Sequence, residues 1–140
     1  MRAIHWTLLA LAVVGSAFVV LAAMSMHSGS TLTRTIGAGL MLLATAWIVI
    51  ARYQLGAAFS ITPQARRLVT TGLYARIRNP IYVASPIYVV GLAVLTERWR
   101  LLLLLIVIVP IQTVRAHREG AVLRAAFGNE YDRYRAQTWF

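Results

Sequence analysis

Four long apolar stretches limit what this chain can fold into more than any other feature. They cover residues 6–26, 36–51, 81–95 and 99–113. Only the first reaches the ~20 residues that cross a bilayer unaided, and the others would cross when tilted or extended by flanking side chains. With 59% hydrophobic and 13% charged residues, the composition lies outside the range of soluble domains. The sequence predicts an all-α, polytopic membrane bundle of about four membrane segments, in one domain over residues 1–140.

The arginines indicate how these segments are oriented. The chain has fourteen arginines, no lysine and four acidic residues, for a net charge of +10. Eleven arginines lie before the first apolar stretch, after the second or after the fourth, and three lie in the opposite loops. Because positive residues favour the cytoplasmic side, we expect both termini and residues 52–80 and 114–140 to be cytoplasmic. The all-arginine composition indicates a bacterial protein, and hence the inner membrane.

The residue types that are absent narrow the chemistry. Without cysteine there are no disulfides, thiolate metal sites or cysteine nucleophiles, and without lysine there is no Schiff base or P-loop. The three histidines are isolated along the chain, so no metal site is predicted. A nucleic-acid partner is not expected either, because the positive charge is that of loops beside membrane spans and no soluble recognition element is present.

Local signals mark the turns between the apolar stretches. Thr62-Pro63 favours a short interfacial helix over residues 63–69, and Gly72 then permits a turn. The loop at 96–100 is so short that it predicts a tight antiparallel hairpin. After the fourth stretch the helical pattern continues into the cytosol until Gly128, and Asn129 can begin a last helix.

Two polar segments, residues 74–82 and 115–134, flank this hairpin, one before its first helix and one after its second. They are therefore expected to lie close together at the cytoplasmic face. Pro80 would begin a helix whose N-terminal amides favour an anion. Simpler interpretations stay open: the arginines as topology anchors, the tyrosines as an interfacial aromatic belt, and Arg115 with Glu119 as an ordinary surface pair.

Together the two segments resemble a known family. "LVTTGLYARIRNPIY", followed by an apolar hairpin and "RAHREGAVLRAAFGNEYDRY", is similar to the isoprenylcysteine carboxyl methyltransferases and to their relative phosphatidylethanolamine N-methyltransferase, over about residues 56–134. Two positions depart from the family pattern: Asn79 stands where the family often has histidine, and Gly120 where it often has a second glutamate. The matching positions are Gly72, Tyr74, Arg78, Pro80, Tyr82, Glu119, Leu123, Phe127, Gly128, Tyr131 and Tyr134.

The resemblance implies an enzyme that binds S-adenosylmethionine at the cytoplasmic face and methylates a lipophilic or amphiphilic acceptor. Arg78 with Asn79 would hold the cofactor's carboxylate, Glu119 its ammonium or ribose, and tyrosines would supply walls and hydroxyls. Arg78 and Glu119 are the candidate catalytic residues. The candidate cofactor-binding residues are Tyr74, Arg78, Asn79, Pro80, Tyr82, Glu119, Leu123, Tyr131 and Tyr134.

Two other functions remain open from the sequence. The C-terminal pattern is also similar to that of membrane sterol and enone reductases, which use NADPH, although "VASPIYVVG" lacks the acidic residue that those enzymes tend to carry. A non-catalytic membrane scaffold would keep the same helices for packing alone. The nucleophile of the acceptor, whether carboxylate or amine, and the oligomeric state are left open.

Overall fold

The described part of the chain is built from helices. A computed structural model describes residues 2–25, 30–56 and 68–139, and the statements below concern these residues. No β-strand occurs within them, which confirms the all-α prediction. The helices are α1 (Arg2–Ser25), α2 (Thr31–Leu55), α3 (Pro80–Thr96), α4 (Leu104–Phe127) and α5 (Asn129–Gln137), with 3-10 turns at Gly72–Ala75 and Trp99–Leu103.

Two helical segments are long and apolar enough to cross a membrane, Thr31–Leu55 and Trp99–Phe127. Leu9–Ser25 and Pro80–Thr96 are apolar but shorter. Large hydrophobic side chains point outward along α1, α2 and α4, and none of the residues of α4, all of which are described, is buried. Such surfaces suit contact with lipid, because water would solvate them poorly.

The centre of the fold is a close crossing of α2 and α3. A Cβ atom added at Gly37 would overlap the backbone of Leu95, and one added at Gly91 would lie 2.6 Å from the backbone nitrogen of Met41. Both glycines are buried, so the two backbones meet without side chains between them. This small-residue packing is the common way in which membrane helices associate.

A buried polar contact attaches α1 to this pair. The Ser16 hydroxyl donates to the Ala12 carbonyl at 2.7 Å and lies 3.2 Å from the Tyr88 hydroxyl of α3. The Thr45 hydroxyl of α2 is 3.3 Å from the Ser16 hydroxyl. Interhelical hydrogen bonds of this kind stabilise membrane bundles, since the polar groups have few other partners away from water.

The turns agree with the local sequence signals. Glu97 ends α3 in the left-handed region with φ 54°, and the 3-10 turn into α4 begins two residues later, which agrees with the predicted tight hairpin. The Glu97 carboxylate accepts the backbone N–H of Ser30 at 2.9 Å and so ties this loop to the start of α2. Gly72 has φ 64°, Gly128 with φ 50° ends α4, and α5 begins at Asn129, all as predicted. Most of the interfacial helix predicted over 63–69 lies outside the described residues.

We expect Gly37→Ala to lower the free energy of unfolding by about 1–3 kcal/mol, because the added methyl group meets rigid backbone and the helices must separate. The matched control is Gly39→Ala on the same helix, where nothing lies within 4 Å of the new Cβ. The control should be neutral or slightly more stable, since alanine favours helix by up to ~1 kcal/mol. Unfolding by SDS titration, followed by circular dichroism, compares the two. Equal stability of both variants would contradict the close crossing.

Candidate functional site

One hydrogen bond joins the two polar segments. The Tyr82 hydroxyl, near the start of α3, donates to Oε1 of Glu119 in α4 at 2.7 Å. Both side chains are half-buried. The predicted meeting of residues 74–82 with residues 115–134 is therefore confirmed, and it takes place at the open end of the α3–α4 hairpin.

Arg115 completes this contact from the preceding turn of α4. Its guanidinium carbon lies 5.9 Å from the centre of the Tyr82 ring, and its Nη2 is 4.0 Å from Oε1 of Glu119. The surface pair considered from the sequence exists, but at this separation and exposure it contributes little by itself. The Arg115 guanidinium also lies over the Tyr82 ring, and this cation–π contact favours one orientation of that ring.

The start of α3 carries the next group of polar side chains. Pro80 is fully buried at the first helical position, and the carbonyl of Asn79 accepts the N–H groups of Tyr82 and Val83 at 3.0 and 3.2 Å. Arg78 is half-buried, and its Nε is buried without a hydrogen-bond partner among the residues that the structure describes. A buried guanidinium N–H without an acceptor is unfavourable. This position would therefore be stabilised by an anionic ligand.

The turn before Arg78 is held from α2. The side-chain oxygen of Gln54 accepts the N–H of Leu73 at 2.8 Å, and a Cβ at Gly72 would lie 2.5 Å from the Gln54 amide group. Tyr74 is buried against Ala51 of α2. Gln54 was not among the predicted site residues, although an uncharged amide at the end of an apolar helix, two residues after Arg52, is a signal that could have pointed to it.

Helix α5 holds the same turn from the other side. The Tyr134 hydroxyl donates to the Tyr74 carbonyl at 2.8 Å, and the rings of Tyr131 and Tyr134 lie 6.3 Å apart at 53°. Burial raises the pKa of Tyr134 to about 12, with a smaller upward effect from Tyr131 and a lowering effect of Arg78. Burial also raises the pKa of Tyr74. These hydroxyls therefore stay protonated at neutral pH, and that of Tyr134 is already bound.

The glycine at position 120 has a packing reason. A Cβ there would lie 2.8 Å from the hydroxyl of Tyr131, which is buried between α5 and α4. A larger residue would displace Tyr131 from this position. Glycine in place of the family's second glutamate at position 120 therefore leaves room for Tyr131 of α5.

The nine predicted cofactor-binding residues fall into two groups. Five are half-buried: Arg78, Asn79, Tyr82, Glu119 and Leu123. Four are buried and pack the surrounding elements: Tyr74, Pro80, Tyr131 and Tyr134. Leu123 lies one turn after Glu119. Trp139, which pairs with the segment before α3, was missed, and nothing in its local sequence indicates that contact.

The described residues contain no group of three or more metal-ligating side chains. Residues 32–130 match the phospholipid methyltransferase family, which is related to the isoprenylcysteine carboxyl methyltransferases. This range includes α2, α3, α4 and the start of α5, and therefore both sides of the Tyr82–Glu119 contact. No curated protein matches the chain.

We expect Tyr82→Phe to lower the free energy of unfolding by about 1.5–3 kcal/mol, because a carboxylate loses its hydroxyl donor. The control is the same substitution made in a Glu119→Ala background. There the hydroxyl has no carboxylate to bind, so the cost should largely disappear. Denaturant unfolding of all four proteins gives the coupling energy. Additive effects would show that the two side chains do not interact.

A spectrophotometric titration should find Tyr134 ionising near pH 12, well above the ordinary value of about 10. Its stabilising effect is fully present below pH 10 and is lost as the pH rises through 12, because only the neutral hydroxyl can donate to Tyr74. The difference in tyrosinate absorbance between the parent and Tyr134→Phe isolates this one group. A difference curve centred near pH 10 would contradict the buried hydrogen bond.

Proposed function

The chain belongs to the phospholipid methyltransferase family, and we propose that it transfers a methyl group from S-adenosylmethionine to a lipophilic or amphiphilic acceptor at the cytoplasmic membrane face. The observation that carries the proposal is the 2.7 Å hydrogen bond between Tyr82 and Glu119. This bond places the Glu119 carboxylate beside the Tyr82 ring at the start of α3. Arg78 and Asn79 immediately precede this helix in the sequence.

The side chains available at this end of α3 suit the polar groups of the cofactor. The unpartnered Nε of Arg78 is a donor for the carboxylate, with the Asn79 amide beside it in sequence. The Glu119 carboxylate accepts from the ammonium or the ribose, and the Tyr82 ring supplies an apolar wall. Tyr74, Tyr131 and Tyr134 would act indirectly, by holding the turn that precedes Arg78.

When bound, S-adenosylmethionine supplies an electrophilic methyl group on a positively charged sulfur. The chain's own task is to align the reactants and to exclude water, since the displacement neutralises charge and needs no metal. Arg78 would hold the cofactor's carboxylate, and Glu119 its ammonium or ribose. The hydrogen bond from Tyr82 orients the Glu119 carboxylate.

The nucleophile of the acceptor decides whether a base is needed. A carboxylate acceptor attacks directly, whereas an amine must first lose a proton. Two of the cytoplasmic-end candidates are already engaged: Asp132 lies 3.1 Å from Nε of Arg124, and Nδ1 of His117 lies 2.7 Å from the Thr113 carbonyl. Glu119 likewise accepts from Tyr82, and Glu130 is exposed on α5. This scarcity of free bases favours a carboxylate or another acceptor that needs no deprotonation.

We also propose that the chain lies in a bacterial inner membrane with four membrane segments, and that both termini are on the cytoplasmic side. The helical segment Trp99–Phe127 has 29 residues, which is roughly 40 Å of helix and exceeds the ~30 Å hydrocarbon core. The part that carries Glu119 would therefore lie at or beyond the membrane surface. The excess of arginine at the same end supports a cytoplasmic location.

Isothermal titration of the detergent-purified protein tests the cofactor. S-adenosylmethionine should bind, and NADPH should not. Binding of NADPH alone would overturn the proposal in favour of a reductase. Binding of neither would indicate a non-catalytic scaffold. A methyl-transfer assay with radiolabelled cofactor and membrane lipid extract then identifies the class of acceptor.

Arg78→Ala and Glu119→Ala should each weaken S-adenosylmethionine binding by about 1.5–3 kcal/mol, because each removes one charge-assisted contact. Arg124→Ala and Glu130→Ala are the matched controls, since both residues are exposed and lie outside the proposed site. Membrane insertion should be the same for all four variants. Affinities equal to that of the parent would show that the site has been misplaced.

A further inference from the structure

The main chain of Trp139 pairs with the segment just before α3. Its N–H donates to the carbonyl of Arg76 at 3.0 Å, and its carbonyl accepts the N–H of Arg78 at 3.4 Å. These two bonds form a parallel bridge between Trp139 and Ile77. The Trp139 side chain is 59% exposed, so the pairing depends on the backbone.

This bridge is the second of two contacts that the C-terminal region makes with one short segment. The first is the hydrogen bond from the Tyr134 hydroxyl to the Tyr74 carbonyl. The other backbone bonds of residues 74–77 run from Tyr74 to the Thr71 carbonyl and from Arg76 and Ile77 to the Leu73 carbonyl, so they are internal to the turn. Gln54 ties the turn to α2 at Leu73, four residues before Ile77. The backbone N–H of Arg78 instead donates to Trp139, which lies 61 residues further along the chain.

The two bonds at Trp139 also restrict the direction of the Arg78 side chain. One bond holds the carbonyl of Arg76 and the other holds the N–H of Arg78. The peptide groups before and after Ile77 are therefore both restricted in orientation. Ile77 itself is buried. The Arg78 side chain begins on this held backbone, and its Nε is buried, so the positions open to its guanidinium are restricted.

We propose that Trp139 is a positioning residue of the cofactor site: its main chain holds the backbone at Arg78 so that the guanidinium is in place before the carboxylate of S-adenosylmethionine arrives. This inference rests on the proposed function. Preorganisation of this kind raises affinity because the ordering of the segment is completed during folding and not at binding. We call residues 138–139, which follow α5 and pair with residues 76–78, the strap.

Trp139→Pro tests the strap. Proline has no N–H, so the bond to the Arg76 carbonyl is lost. Trp139→Phe is the conservative comparison, since it keeps the N–H and an aromatic side chain. We expect S-adenosylmethionine to bind about five- to tenfold more weakly to Trp139→Pro, and Trp139→Phe to retain the affinity. The thermal midpoint should be nearly the same in both, because Trp139 lies outside the helices and is exposed.

A double variant separates positioning from a general structural effect. If Trp139 acts through Arg78, then Trp139→Pro should cause no further loss of affinity in an Arg78→Ala background. An additional loss of the same size in that background would overturn the proposal. So would an unchanged affinity of Trp139→Pro in the presence of Arg78.

Amide hydrogen exchange gives a readout that does not depend on the cofactor. The peptide covering residues 74–78 should exchange faster in Trp139→Pro than in the parent, and Trp139→Phe should behave as the parent does. If the parent fails to bind S-adenosylmethionine, the proposed function fails, while faster exchange still supports the strap. If exchange is unchanged, the strap is wrong even when the cofactor binds.

Discussion

The contact between the bare backbones of α2 and α3 determines where the other parts of the molecule lie. Because Gly37 and Gly91 carry no side chain, the two helices approach each other as closely as their main chains allow. This contact fixes the position of α2 along the axis of α3. The end of α2 therefore brings Gln54 to the turn at Gly72–Ala75, and the start of α3 brings Pro80 and Tyr82 beside it. Van der Waals packing suffices to hold such a contact in lipid, where the hydrophobic effect does not drive helices together.

The segment from Gly72 to Tyr82 obtains its structure from partners on every side. Gln54 binds it from α2, Glu119 from α4, Tyr134 from α5 and Trp139 from the chain end. A neutral hydrogen bond contributes only about 0.5–1.5 kcal/mol net, and the bond to the Glu119 carboxylate about 1.5–3 kcal/mol. Together these bonds leave little freedom to the backbone that carries Arg78. Four elements that are distant in sequence thus fix the conformation of one short polar segment.

Local signals in the sequence were sufficient for much of the fold. Glycine and asparagine at 128 and 129 mark a helix end and a helix start because these residue types favour those backbone conformations irrespective of the surroundings. The meeting of the two polar segments follows from chain topology, since a tight hairpin must bring its outer ends together. The Tyr82–Glu119 bond agrees with this reasoning.

Contacts that depend on how helices are rotated could not be predicted. The apolar stretches are hydrophobic all round, so nothing in their pattern says which face meets a neighbour, and the roles of Gly37 and Gly91 stay hidden. For the same reason the sequence does not distinguish a tyrosine that lines a site from one such as Tyr134, whose hydroxyl is used inside the protein. The pairing of Trp139 is made by backbone atoms, which every residue type possesses.

Under the proposed function, the outward-facing side chains of α4 bear on how acceptors would be distinguished. None of its residues is buried, so a hydrocarbon tail lying along this helix would exchange one apolar neighbour for another and gain almost no free energy. Acceptors lying along this helix would then be distinguished by their polar ends, where charge and hydrogen bonding differ. Tail length and saturation would matter mainly through how each molecule distributes itself in the bilayer.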